Sequence, residues 1–132
     1  MIVIQSAADV ARTTERVRAA LDHQHVPIFA TFDHAANARA AGLSLRPTVV
    51  LVFGNPAVGT HLMQDQQAMK LDLPLRLAVW EDEAGLTWLG YHDLRQLAAN
   101  YHVTDDVTVS KLAGFMETLI KRATEDASGS LP

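Results

Sequence analysis

Apolar and polar positions alternate along this chain in two rhythms, one of period two and one near 3.6. Ile2-Val3-Ile4 is a short β-prone run at the start. Val10, Thr14, Val17 and Leu21 then recur at helical spacing, and this helix is expected to end near His23 to His25. Val26 to Asp33 reads as a second strand, with Pro27 near its start where a lost donor is tolerable. The Ala-rich stretch His34 to Ala41 reads as a short helix capped by Asp33 and stopped by Gly42. Thr48 to Phe53 is the most apolar run of the chain and predicts a strand buried on both faces or central in a sheet.

Beyond it, Asn55 and Pro56 suit the cap and first turn of a helix carrying Val58, Leu62, Met63 and Met69. Leu75 to Trp80 and Leu86 to Tyr91 form the clearest hairpin, joined by an acidic tip from Glu81 to Gly85. Asp93 is placed to cap a short helix through Leu94, Leu97, Ala98 and Tyr101. Val109, Leu112, Ala113, Met116, Leu119 and Ile120 make the most regular stripe, after caps at Thr104, Asp105 and Asp106. Ser6-Ala7-Ala8-Asp9 resembles a capping box for the first helix.

The order β-α-β-α-β-α-β-β-α-α predicts an α+β fold with a single curved, largely antiparallel sheet of about five strands and helices packed mainly on one face. The hairpin argues against an all-parallel sheet, and the strand order does not follow from the pattern. One domain is expected over residues 1–123, with 124–132 as a flexible C-terminal tail.

Composition narrows the classes. In 132 residues, 48% are hydrophobic and the net charge is −4, which suits one globular domain and argues against nucleic acid as a partner. No cysteine is present, so disulfides and thiolate chemistry are excluded. No apolar run approaches the roughly 18 residues of a membrane span. The start lacks the pattern of a signal peptide, so a cytoplasmic placement without membrane contact is expected.

Several separated motifs resemble one family. Asp33-His34, Ala40-Ala41-Gly42-Leu43, Leu45-Arg46-Pro47 and Phe53-Gly54-Asn55-Pro56 with Gly59-Thr60 carry the likeness. It continues through Leu62-Met63, Leu71 to Leu75, Val79-Trp80-Glu81-Asp82, Gly85 and Tyr91. Over residues 31–91 the chain is similar to the domain of unknown function family 302 (DUF302). That resemblance implies a compact α+β fold and predominantly bacterial occurrence, with a homodimer as the assembly to test for. It brings no settled activity, catalytic residue or cofactor.

Candidate chemistry centres on two stretches. Gly54 to Thr60 has the glycine spacing of a phosphate loop, but no Lys follows Gly59, and Pro56 removes an amide. A small anionic or polar ligand at this helix start is the better reading, with Asn55, Gly59 and Thr60 in contact and Arg46 and Arg39 holding an acidic group. The plain alternative is a strand-to-helix turn. Asp33, His34 and His61 are the candidates for acid/base catalysis, should the second and third strands bring them together. Their plain alternative is helix capping by Asp33. A third class is a non-catalytic interaction module.

His23 and His25 would share a face if extended, but no third ligand has a diagnostic spacing, so no metal site is expected. The pairs Glu81/Asp82 and Asp105/Asp106 read as turn and cap chemistry. Trp80, Trp88, Tyr91, Met63 and Met69 read as core. The expected pocket lies between the Asp33-His34 strand end and the Gly54 to Thr60 turn.

Overall fold

The computed structural model describes residues 1–125. Five strands, β1 (Ile2–Ser6), β2 (Ile28–Asp33), β3 (Thr48–Phe53), β4 (Leu75–Glu81) and β5 (Thr87–Tyr91), form one antiparallel sheet ordered β1-β5-β4-β3-β2. Five helices, α1 (Val10–His23), α2 (His34–Ala40), α3 (Pro56–Asp65), α4 (Leu94–Asn100) and α5 (Asp106–Thr124), complete the fold. A 3₁₀ turn, Gln67–Asp72, follows α3.

Alternation along the strands decides which face carries the core. Leu75, Leu77 and Val79 of β4, with Leu89 and Tyr91 of β5, point inward. They meet Val17 and Leu21 of α1, Leu94 of α4 and the Met116, Leu119, Ile120 stripe of α5. Leu62, Met69, Ala98 and Val109 form a satellite cluster under α3 and α4. The helices therefore cover one face, as the patterning predicts. β3 is an interior strand whose Leu51, Val52 and Phe53 are all buried.

The opposite face is where expectation and structure part. Trp80 and Trp88 are direct partners across β4 and β5, but they lie on the uncovered side and are half-buried. Only Tyr91 of the three aromatics joins the core. The reason is parity: Trp80 follows Val79 and Trp88 precedes Leu89, and both neighbours point inward. Phe32 and Val3 remain exposed.

Helix starts follow the sequence closely. Asp33, Asn55, Asp93 and Asp105 accept amide hydrogen bonds from Ala36, Ala57, Arg95 and Thr108. The capping box at Ser6 does not form. Asp9 caps α1 instead, accepting from Arg12 at 2.7 Å. Ser6 still belongs to β1, and its hydroxyl lies 2.6 Å from that of buried Thr13. Met69, expected on one helix with Val58, sits on the 3₁₀ turn after the chain breaks at Gln66.

Thr124 closes α5 as its last residue. The remainder of the expected tail, beyond residue 125, lies outside the described residues.

Candidate functional site

Antiparallel register separates the two stretches expected to share a pocket. Asp33 pairs with Val49, whereas Ile28 pairs with Phe53. The Gly54 turn therefore sits beside the beginning of β2, where the amide of Gly54 donates to the carbonyl of Pro27. Asp33 sits at the other end, four residues or about 13 Å further along the ladder. The pocket placed between them is corrected on that ground: Asp33 and His34 do not meet Asn55, Thr60 or His61.

Each of these residues has its own surroundings. The Asp33 carboxylate takes the Ala36 amide at 2.9 Å. The His34 ring stacks on Phe32, with centroids 6.2 Å apart. His61 is exposed on α3, on the side of the Asp105 cap. Arg46 is exposed beside the β4–β5 tip, where it helps lower the pKa of Asp82. His25 adopts φ 57° in the turn after α1, so His23 and His25 are not the extended pair that a shared ligand would require.

At the Gly54 turn the amides are largely engaged. Pro56 has none, Ala57 gives its amide to the Asn55 side chain at 2.9 Å, and Gly59 gives its own to the Asn55 carbonyl. The Thr60 hydroxyl donates to the Pro56 carbonyl at 2.7 Å. The adjacent nook holds about 130 Å³ and is walled by Phe29, Val58, Met63, Leu73 and Leu112. It is apolar and small, which suits a side chain or methyl-sized group better than an anion.

A larger cavity lies at the other end of the sheet, between the first half of α1 and the β2–α2 junction. It encloses about 570 Å³, within the usual range for small-molecule sites. Arg18 enters from α1 and Arg39 from α2, while Asp9, Glu15, Asp33 and Glu81 supply carboxylates. Arg18 is oriented on both sides: its guanidinium donates to the Thr31 hydroxyl at 2.9 Å and lies 3.8 Å from Glu15. Asp9 and Asp33 are anchored as the caps of α1 and α2.

Thr14, in the same wall, is 8% exposed, and its hydroxyl has no hydrogen-bond partner among the described residues. Native interiors rarely leave such a group unsatisfied. Arg39 was a sequence candidate and Asp33 another. Arg18, Thr14 and Glu81 were missed, because their convergence depends on how α1 crosses the sheet. The missed signal was the Glu15–Arg18 pair at helical spacing beside an inward-facing Thr14.

Among the described residues no group of three metal-ligating side chains converges, and no helix is long and apolar enough to cross a membrane.

Comparison with known proteins places the chain. It is 38% identical over 128 residues to a protein of Brucella suis named fluoride-specific ion channel FluC 1, covering 96% of this chain. A Brucella abortus protein of the same name matches at the same identity. The chain spans about half the length of these curated relatives, 50% and 47% respectively. The crystal structure of an uncharacterized conserved DUF302 protein from Bacillus stearothermophilus superposes with a TM-score of 0.79 at 17% identity. That likeness covers 92% of this chain and 96% of the other, and it shows the shared fold. The model of the domain of unknown function DUF302 matches residues 2–122, nearly the whole described chain, and the protein belongs to that family.

Proposed function

We propose that the protein is a small-molecule-binding domain whose site is the cavity between α1 and the β2–α2 junction. One observation carries this reading. Two arginines from different helices, Arg18 and Arg39, line a single cavity of about 570 Å³ together with the carboxylates of Asp9, Glu15, Asp33 and Glu81. The arginines suit a carboxylate or comparable anionic group. Asp33 and Glu81 suit a donor such as an ammonium at the other end of the same ligand. The fitting class is a small zwitterion of amino-acid size.

Calorimetric titration with amino acids, simple carboxylates and inorganic anions tests the proposal. Zwitterions should bind more tightly than either half alone, and Arg39→Gln should weaken them about tenfold or more. Asn55→Ala should leave the affinity unchanged. The reverse pattern, loss in Asn55→Ala and none in Arg39→Gln, would return the site to the Gly54 turn.

A second reading has its own support in the curated relatives named as fluoride channels, of which this chain spans half. In it the domain is an accessory to fluoride handling, and the ligand of the arginine pair is fluoride itself. Fluorine NMR of sodium fluoride with the protein would show a chloride-insensitive shift or broadening lost in Arg39→Gln. An unchanged fluoride signal would remove this reading. As for assembly, we propose that any homodimer packs through the uncovered sheet face that carries Phe32, Trp80 and Trp88. Sedimentation of Phe32→Ser should then give a lighter species than the parent chain.

A further inference from the structure

We propose that the zwitterion of the α1–α2 cavity is an ω-amino acid, with carboxylate and ammonium at opposite ends of an apolar chain. The assignment rests on that cavity being a zwitterion site and specifies which zwitterion fits.

Sheet register sets the distance between the charges. Thr31 is level with Leu51 of β3 and Leu77 of β4, and Glu81 lies four residues beyond Leu77. Four residues along a strand span about 13 Å and two strands across about 10 Å, so the Cα atoms of Thr31 and Glu81 stand roughly 16 Å apart. Both belong to the helix-covered face: Thr31 pairs with buried Leu51, and Glu81 follows the parity of buried Leu77 and Val79. Val49 is the midpoint of the diagonal, one strand and two residues from each end. All three residues line the cavity.

Charge divides along this diagonal. The Arg18 guanidinium is held at the Thr31 end by the 2.9 Å bond to that hydroxyl. Among the carboxylates, Asp9 and Asp33 are committed to capping α1 and α2, and Glu15 lies 3.8 Å from Arg18. Glu81 has neither role and occupies the opposite end. Val49 lies between, and Val10 and Ala35, both 5% exposed, add apolar wall. From Val10 to Arg18 the α1 axis rises about 12 Å, so one helix spans most of the diagonal.

An α-amino acid carries its ammonium and carboxylate on one carbon and cannot place them at both ends. An ω-amino acid can, with its methylenes against Val49 and Ala35. Arg18 would take the carboxylate and Glu81 the ammonium, each through charge-assisted hydrogen bonds.

Leucine and 6-aminohexanoate are isomers with the same two charges, differing in how far apart those charges stand. Calorimetric titration of the full chain with both, and with hexanoate, tests the assignment. 6-Aminohexanoate should bind about tenfold or more tightly than leucine. Glu81→Gln should reduce 6-aminohexanoate to the affinity of hexanoate without weakening hexanoate, whereas Arg18→Gln should weaken both. The isomer comparison uses the parent chain alone, so it decides the matter even where a variant fails to fold. Equal binding of the isomers, lost in Arg39→Gln, would keep the zwitterion site and overturn the ω-amino acid. Undiminished 6-aminohexanoate binding in Glu81→Gln would overturn it as well. No heat from either isomer at millimolar concentration would remove the ω-amino acid and the zwitterion site together.

Discussion

A methyl group added at position 90 would lie 2.8 Å from Cη2 and 2.9 Å from Cζ3 of Trp80, and 3.3 Å from the sulfur of Met1. The indole lies over Gly90, and the missing side chain makes room for it. Gly90→Ala should therefore lift Trp80 off the sheet and cost about 1–3 kcal/mol, as overpacking does. A lower melting temperature with a red-shifted tryptophan emission would be the evidence. An acid at the β4–β5 tip looked like a plain solvated turn in the sequence, yet Asp82 has a larger part. Its carboxylate takes the Trp88 indole N–H at 2.8 Å and the amides of Ala84 and Leu86, both at 2.9 Å. Turn chemistry was legible from the Gly85 spacing. The indole bond was not, because it joins residues whose approach depends on strand parity.

Among the elements, helix starts were readable and helix ends less so. Four of the five N-caps stand where the sequence puts them, since Asp or Asn before an apolar stripe has a direct local cause. The ends use a shared device. After α2, Gly42 at φ 78° returns its amide to Arg39, and Leu43 returns its own to Ala38. The same bonds close α1 and α4, but His25 at φ 57° and His102 at φ 58° fill the left-handed position. Side chains there cost about 1 kcal/mol. His25→Gly should thus be neutral to stabilising by up to about 1 kcal/mol, measured by urea unfolding.

Asp65 is the element-scale link that local patterning could not reveal. It takes the amides of Thr104 and Asp105, at 2.7 and 2.8 Å, and so ties the end of α3 to the start of α5 across about forty residues of chain. Asp65→Asn should loosen that junction, seen as faster amide exchange at Thr104 and Asp105 with little change in the sheet.

For the whole molecule, three carboxylates with lowered pKa values contribute to the acid limb of stability. Asp65 is held below its ordinary pKa first by the Asp105 amide, Asp82 by the Trp88 indole and Asp105 by the Thr108 hydroxyl. A depressed folded pKa means the unfolded chain binds protons more readily. The stabilisation is therefore present above the unfolded value near 3.8 and lost as pH falls through the lower folded values. Urea midpoints should drop on acidification below about pH 4, and replacing all three by Asn should flatten that limb. The folded values all lie below 3.8, so the drop belongs at the acid end and not near neutrality, and solvent screening keeps it small.

At this scale the sequence revealed the fold class, the one-sided helix layer and the hairpin, all of which follow from periodicity. Strand order and the site did not follow. Whether Asp33 meets Asn55 depends on register, and antiparallel pairing of β2 with β3 places them at opposite ends. Arg39 was a sequence candidate, while Arg18, which lines the same cavity, became visible only once α1 lay across β2.

The most direct measurement is calorimetric titration of the chain and its Arg39→Gln and Asn55→Ala variants with a panel of amino-acid-sized zwitterions. The expected result is saturable binding by the parent chain and by Asn55→Ala, weakened about tenfold or more in Arg39→Gln. Undiminished binding by Arg39→Gln, or no heat from any zwitterion at millimolar concentration, would contradict the assignment of the α1–α2 cavity.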